Sequence, residues 1–177
     1  KVGNPITQNV LQFNYKEPMQ SEVDEISIQQ QFEEVIASEN QLAIQEFLND
    51  QNISDVADLI YENEDYECQI ISLLSIHRAA SVFKIIELAT QKRIIKDLPS
   101  IKTTELLNEL PADDRVAFLE ELPNSIVRDL IKTLDPDERR DTLELLGYPE
   151  NSMGRIMTPD YVYVYEENTV AEVFQTI

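Results

Sequence analysis

The apolar positions of the second half of the chain fall into a strict register. Leu74, Ile86, Leu98, Leu110, Leu122, Leu134 and Leu146 stand 12 residues apart without a slip. From Leu98 onward each anchor is tied to a proline: Leu-Pro at 98–99, 110–111 and 122–123, then Leu134-Asp135-Pro136. Three residues before the anchors come Leu107, Leu119, Ile131 and Leu143, and four before them Leu106, Phe118 and Leu130, with Thr142 breaking the row. Positions −4, −3 and 0 share one face of a helix. Proline has no N–H and disfavours helix in the residue before it, so each Leu-Pro ends one helix and opens the next. The pattern predicts helices of roughly nine residues, each too short to be stable alone, so their stripes must be buried against neighbouring repeats.

Upstream the period is looser but still helical. Val23, Ile26, Phe32, Val35 and Ile36 predict one helix beginning near Glu22, and Leu42, Ile44, Phe47 and Leu48 a second. Ser54 reads as the N-cap of a third, with Val56, Leu59 and Ile60 as its stripe, then a turn at Asn63 to Asp65 and a helix over 66–74. Residues 1–21, with Gly3, Pro5 and Pro18 and no period, read as a loose leader. At the other end, 148–158 reads as a linker after the helix stop at Gly147. Tyr161 to Tyr165 then predicts a strand, and Thr169-Val170-Ala171-Glu172 a capping box opening a last helix. The fold class expected is all-α over 22–147, followed by an incomplete β-α unit over 159–177.

Composition narrows the function. The formal charge is −20 on 177 residues, with 15 acids against two basic groups in residues 1–70. Such a surface repels nucleic acid and anionic membrane, both of which are bound through Lys and Arg. It suits a cation or a basic partner, or simply a solvated face. Cys68 is the sole cysteine and lies in an apolar run, which predicts a structural thiol rather than a nucleophile or an intrachain disulfide. No stretch approaches the roughly 20 apolar residues of a membrane span. A phosphate-binding glycine loop, a nucleophile elbow and a Cys-His pair are all missing, so an enzyme is not expected.

The Leu-Pro helices followed by Gly147-Tyr148-Pro149-Glu150-Asn151-Ser152-Met153-Gly154-Arg155-Ile156-Met157-Thr158-Pro159 resemble the junction between the N domain and the first CBS domain of MgtE-type magnesium transporters. Ser54 to Ile60 also resembles that family's early helix, so the likeness spans about residue 22 to 177. It implies a right-handed superhelical solenoid of the armadillo/HEAT kind, running into the start of a CBS domain. It further implies a segment on the cytoplasmic face of the cell membrane, joined to its own CBS and transmembrane domains in a homodimer. Mg²⁺ held between N and CBS domains would close the gate, most partner carboxylates being supplied by CBS residues outside this chain. No nucleic acid and no membrane insertion by this segment are expected.

Carried over by register, the first acid of Leu-Pro-x-Asp-Asp falls on Asp113, which corresponds to an interface Mg²⁺ ligand, with Asp114 beside it. A backbone oxygen ligand falls at Gly154-Arg155, where Arg155 stands in place of a smaller residue. A further family carboxylate falls on Ser81, so a well-formed Mg²⁺ site is not expected within this segment. Read without the likeness, Asp113 and Asp114 are acids in a first helical turn, where exposed N–H groups favour them. His77 reads as a surface or packing residue. The acids Glu62, Glu64, Asp65 and Glu67 lack the glycine and oxygen pattern of a calcium loop. A second class of function is a helical interaction module similar to a flagellar motor switch component, from which the CBS-like tail distinguishes the first.

Overall fold

The computed structural model describes residues 26–158 and 163–176. Among these, helices follow in the order α1 (Ile28–Ala37), α2 (Gln41–Asp50), α3 (Ile53–Glu62), a 3₁₀ turn (Glu64–Tyr66), α4 (Glu67–Leu73), α5 (Ile76–Phe83) and α6 (Leu88–Asp97). They continue with α7 (Ser100–Glu109), α8 (Ala112–Glu120), α9 (Asn124–Thr133), α10 (Pro136–Gly147), α11 (Met153–Ile156) and α12 (Val170–Thr176). The recurring contact joins a helix to its second neighbour: α1 to α3 to α5 to α7, α2 to α4 to α6, and α8 to α10. That is the stacking of a solenoid. The leader proposed for 1–21 lies outside the described residues.

The 12-residue register is the core of this stack. Leu74, Ile86, Leu98, Leu110 and Leu134 are all buried, while Leu122 and Leu146 are partly so. Pro99, Pro111 and Pro123 are the N-caps of α7, α8 and α9, and Leu98, Leu110 and Leu134 are extended residues closing the helices before them. Phe83 and Phe118 meet edge-to-face at 5.2 Å and tie α5 to α8.

Several local expectations shift. Helix α3 is capped from Asn52 rather than Ser54; both are capping types, and starting at Ile53 puts Val56 and Ile60 inward, fully buried. Helix α1 starts at Ile28 behind a capping box between Ser27 and Gln30. Asp135 stands at the N-cap of α10 without a side-chain cap bond, and its N–H donates to Asn108 Oδ1 of α7 at 3.0 Å. In α10 the buried face is Thr142 and Leu145, whereas Leu143 is 51% exposed. The helix has turned to set Leu145 against Ala112 and Val116 of α8 in a small second core. Of the strand expected at Tyr161 to Tyr165, the described residues Tyr163 to Tyr165 are irregular and exposed, which follows from the lack of any described strand to pair with. The capping box at Thr169 and Glu172 does form, the Thr169 N–H donating to Glu172 Oε2 at 2.7 Å.

A chain cut into short helices ends many of them inside the protein, and each end leaves carbonyls without a helical partner. The position five residues after an anchor answers this. Gln91 Nε2 donates to Phe83 O at 2.7 Å, Arg115 Nη1 to Leu107 O at 3.0 Å and Arg139 Nε to Ile131 O at 3.0 Å, each eight residues back. Thr103 Oγ1, at the same repeat position, donates to Leu98 O at 3.4 Å. The row breaks at Val127 in α9, a helix with no buried side chain, whose Ile126 is 46% exposed.

Candidate functional site

Asp113 and Asp114 open α8 immediately after Pro111 and the buried Ala112, so their carboxylates sit at the helix N-terminus beside its unpaired N–H groups. The fourth residue of this helix, Arg115, turns inward to hold the end of α7, which fixes the turn that presents the two acids. Asp114 Oδ2 lies 3.8 Å from Lys84 Nζ at the C-cap of α5, at the edge of a cleft of about 300 Å³ floored by Phe83, Leu110 and Phe118. Burial pushes the Asp114 carboxyl above the ordinary aspartate value; the charge of Asp113 adds to this and Lys84 opposes it. Asp113 Oδ1 is buried and has no hydrogen-bond partner among the described residues. An acid oxygen out of water without a donor is costly, and it is a natural ligand for a hard cation.

Gly154 and Arg155 lie elsewhere. They belong to α11, which packs on α8 and α10, and Arg155 Nε stands 2.6 Å from Glu120 Oε1 at the far end of α8. Seven residues separate Asp113 from Glu120, about 10 Å along the helix axis. The four residues singled out from sequence are thus held on one helix's two ends rather than in one cluster. Arg155 Nη1 also donates to Leu145 O at 3.0 Å, in the last turn of α10.

The remaining candidates disperse. Ser81 Oγ donates to His77 O at 2.8 Å within its own helix. His77 is mostly exposed and meets Glu109 of α7 through Nδ1. Within the acidic run after Glu62, Glu67 is only 5% exposed and takes the Arg93 Nε–H at 3.1 Å. Cys68 is half-buried, and burial raises its thiol. Among the described residues no three acids, histidines or cysteines converge as a metal cluster, and no helix is long and apolar enough to cross a membrane.

Residues 51–151 match the family model of the MgtE intracellular N domain, more than half of the chain. The chain belongs to the MgtE intracellular N domain family. A relative is the magnesium transporter MgtE of Bacillus subtilis (strain 168), 25% identical over 109 residues, or 62% of this chain and 24% of that protein. Among solved structures, the cytosolic domain of the Mg²⁺ channel MgtE in complex with ATP superposes with a TM-score of 0.75 at 29% identity, over 81% of this chain and 60% of that one. The soluble part of a magnesium transporter shares the fold, with a TM-score of 0.73 at 21% identity, over 85% of this chain and 61% of that one. The chain therefore spans about a quarter of the MgtE relative and three fifths of the two solved chains. The family is that of a transporter's intracellular domain and not of an enzyme. The solenoid fold expected from the 12-residue register is the MgtE N-domain fold.

Proposed function

We propose that this chain is the cytosolic regulatory segment of a magnesium transporter, which restrains the gate when Mg²⁺ is held between it and the adjoining CBS domain. In this reading 22–147 is the N domain, 148–158 the linker and 159–177 the start of the CBS domain, with the CBS pair and membrane part supplied by the rest of a homodimeric protein. The observation that carries it is the Asp113 Oδ1 left without a donor among the described residues, beside the half-buried Asp114 on the first turn of α8. Asp113 would hold the ion, with Asp114 next to it and the oxygens near Gly154-Arg155 a separate point of contact ten or so ångströms along α8. When bound, Mg²⁺ supplies the positive charge that lets two acidic faces approach.

The chain's own residues set up the response. Asp113 and Asp114 repel one another and any acidic face brought against them, and among the described residues Asp114 alone of the two has a cation, Lys84, within ion-pair distance. With a net charge of −20, the segment is driven away from an acidic neighbour by long-range repulsion as well. Arg115, Phe118 and Leu119 anchor α8 to the solenoid, so the carboxylates move with the domain as one piece. The test is small-angle scattering of the chain extended through both CBS domains, titrated with Mg²⁺ against Na⁺ at matched ionic strength. Compaction by Mg²⁺ alone, weakened in Asp113→Ala, is expected; an unchanged radius in both salts would refute the reading.

A further inference from the structure

The stretch after Gly147 reads from sequence as a linker, yet the structure folds it back on the solenoid. Tyr148 N–H donates to Leu145 O at 3.1 Å, Asn151 takes a left-handed φ of 62°, and the chain reverses into α11. Asparagine is among the few side chains that adopt this region readily. We propose that α11 is an electrostatic latch, in which Arg155 fastens the departing chain to the ends of α8 and α10 and so sets the direction in which residues beyond Ile156 leave the domain.

Three observations carry this. First, one guanidinium serves two helix C-termini: Nε lies 2.6 Å from Glu120 Oε1, the last residue of α8, and Nη1 donates to Leu145 O at 3.0 Å. A cation is favoured at both places, because the last carbonyls of a helix lack partners and carry the negative end of its dipole. The Arg155 side chain is 11% exposed and that of Glu120 34%, so the guanidinium is largely shielded while its partner carboxylate still meets solvent.

Second, the seat is made for a glycine. A Cβ on Gly154 would stand 2.5 Å from Tyr148 Cδ1 and 2.6 Å from Cγ, so α11 rests its bare backbone on that ring. Any larger residue would force the turn and the Tyr148 ring apart.

Third, apolar burial does little to hold α11 down among the described residues. Its two large apolar side chains, Met153 and Ile156, are 78% and 67% exposed, so apolar burial does not fix the turn. Beside Arg155 lies a cleft of about 480 Å³ bounded by Leu122, Val127, Leu146 and Glu150. That space lets the guanidinium swing off Glu120 without displacing packed side chains. A turn fastened chiefly through one largely buried guanidinium and one ring contact opens far more readily than the solenoid that carries it. The magnesium-sensing reading supplies the consequence, since the latch would set the pose of the following domain; the latch itself does not depend on that reading.

Spin labels at Glu144→Cys on α10 and Met157→Cys just past α11, in a Cys68→Ala background, measure the exit direction as a distance distribution. A single narrow distribution is expected in the parent chain. Arg155→Gln should widen it about twofold, Glu120→Gln by less because the bond to Leu145 O remains, and the double variant no further than Arg155→Gln. Hydrogen exchange over 152–157 should rise while α4 to α7 keep their protection, which shows that the solenoid stays folded. Unchanged widths in both single variants, widening in Arg155→Gln alone, or additive widening in the double variant would each overturn the latch. None of these readouts needs Mg²⁺, so failure here is separable from failure of the sensing mechanism.

Discussion

Arg115→Met asks whether the donors at the fifth position of the repeat hold the helix ends together. Arg115 is 3% exposed, and its Nη1 reaches Leu107 O at 3.0 Å and Asn108 O at 3.4 Å. Methionine keeps most of the volume and removes the charge. A hydrogen bond from a charged donor contributes about 1.5–3 kcal/mol, and a buried carbonyl left without a partner costs about 1–3 kcal/mol. Relief from burying a guanidinium offsets part of this, leaving a net loss of about 2–4 kcal/mol. Urea unfolding at 25 °C should show a lower midpoint with an unchanged slope. Over a domain of this size, the melting temperature should fall by about 5–15 °C. Two comparisons fix the meaning. Gln91→Met, which removes a neutral donor to Phe83 O, should lose about 1–2 kcal/mol. The exposed Arg128→Met should change stability by less than about 0.5 kcal/mol. A loss at Arg115 no greater than that at Arg128 would refute the idea that this row satisfies the ends of the short helices.

Other outcomes follow from single sites. Glu67→Gln breaks the pair that Glu67, almost fully buried, makes with the half-exposed Arg93, and should lower stability by about 1–2 kcal/mol by urea titration, with Arg93→Gln adding little to the loss in the double variant. Cys68 should react with iodoacetamide at pH 8 at least about tenfold more slowly in the native chain than in urea, because burial both screens the thiol and raises it above its ordinary value, lowering the thiolate fraction; equal rates would contradict the burial. The Glu172 carboxyl is held below its ordinary value by the Thr169 N–H and hydroxyl, so its contribution to α12 is present above the unfolded value and lost as pH falls through the lowered one. Amide exchange in 170–176 should therefore rise, relative to α10, as pH is brought down through the carboxylate range, and Glu172→Gln, which removes the titrating group, should abolish that dependence.

Much of the fold was legible because the repeat is written in apolar residues and proline, the two signals that periodicity reads best. Leu98, Leu110 and Leu134 behave as the register requires. What periodicity could not show is carried by hydrogen bonds. Gln91, Thr103, Arg115 and Arg139 share no hydropathy, only the ability to donate to a carbonyl, so the row became visible with the helix ends in place. Thr142 and Leu143 exchanged roles because α10 turns toward the small residues of α8, a matter of packing and not of pattern. Strand propensity at Tyr163 to Tyr165 had no partner strand to act on among the described residues. At the candidate site, Asp113 and Asp114 were visible as neighbours in sequence. Lys84, some 30 residues earlier, was not, nor was the distance of Arg155 from them, since both depend on how α5 and α11 pack on α8.

The central claim is that Asp113 belongs to a magnesium-dependent brake. Its most direct test is Mg²⁺ flux through the full-length protein in liposomes, recorded against rising Mg²⁺ on the cytosolic side, for the parent and for Asp113→Asn. The account predicts closure of the parent as Mg²⁺ rises, and in the variant a shift of the closing concentration upward by about tenfold or more, the loss of one good ligand contact. Identical closing curves would contradict it.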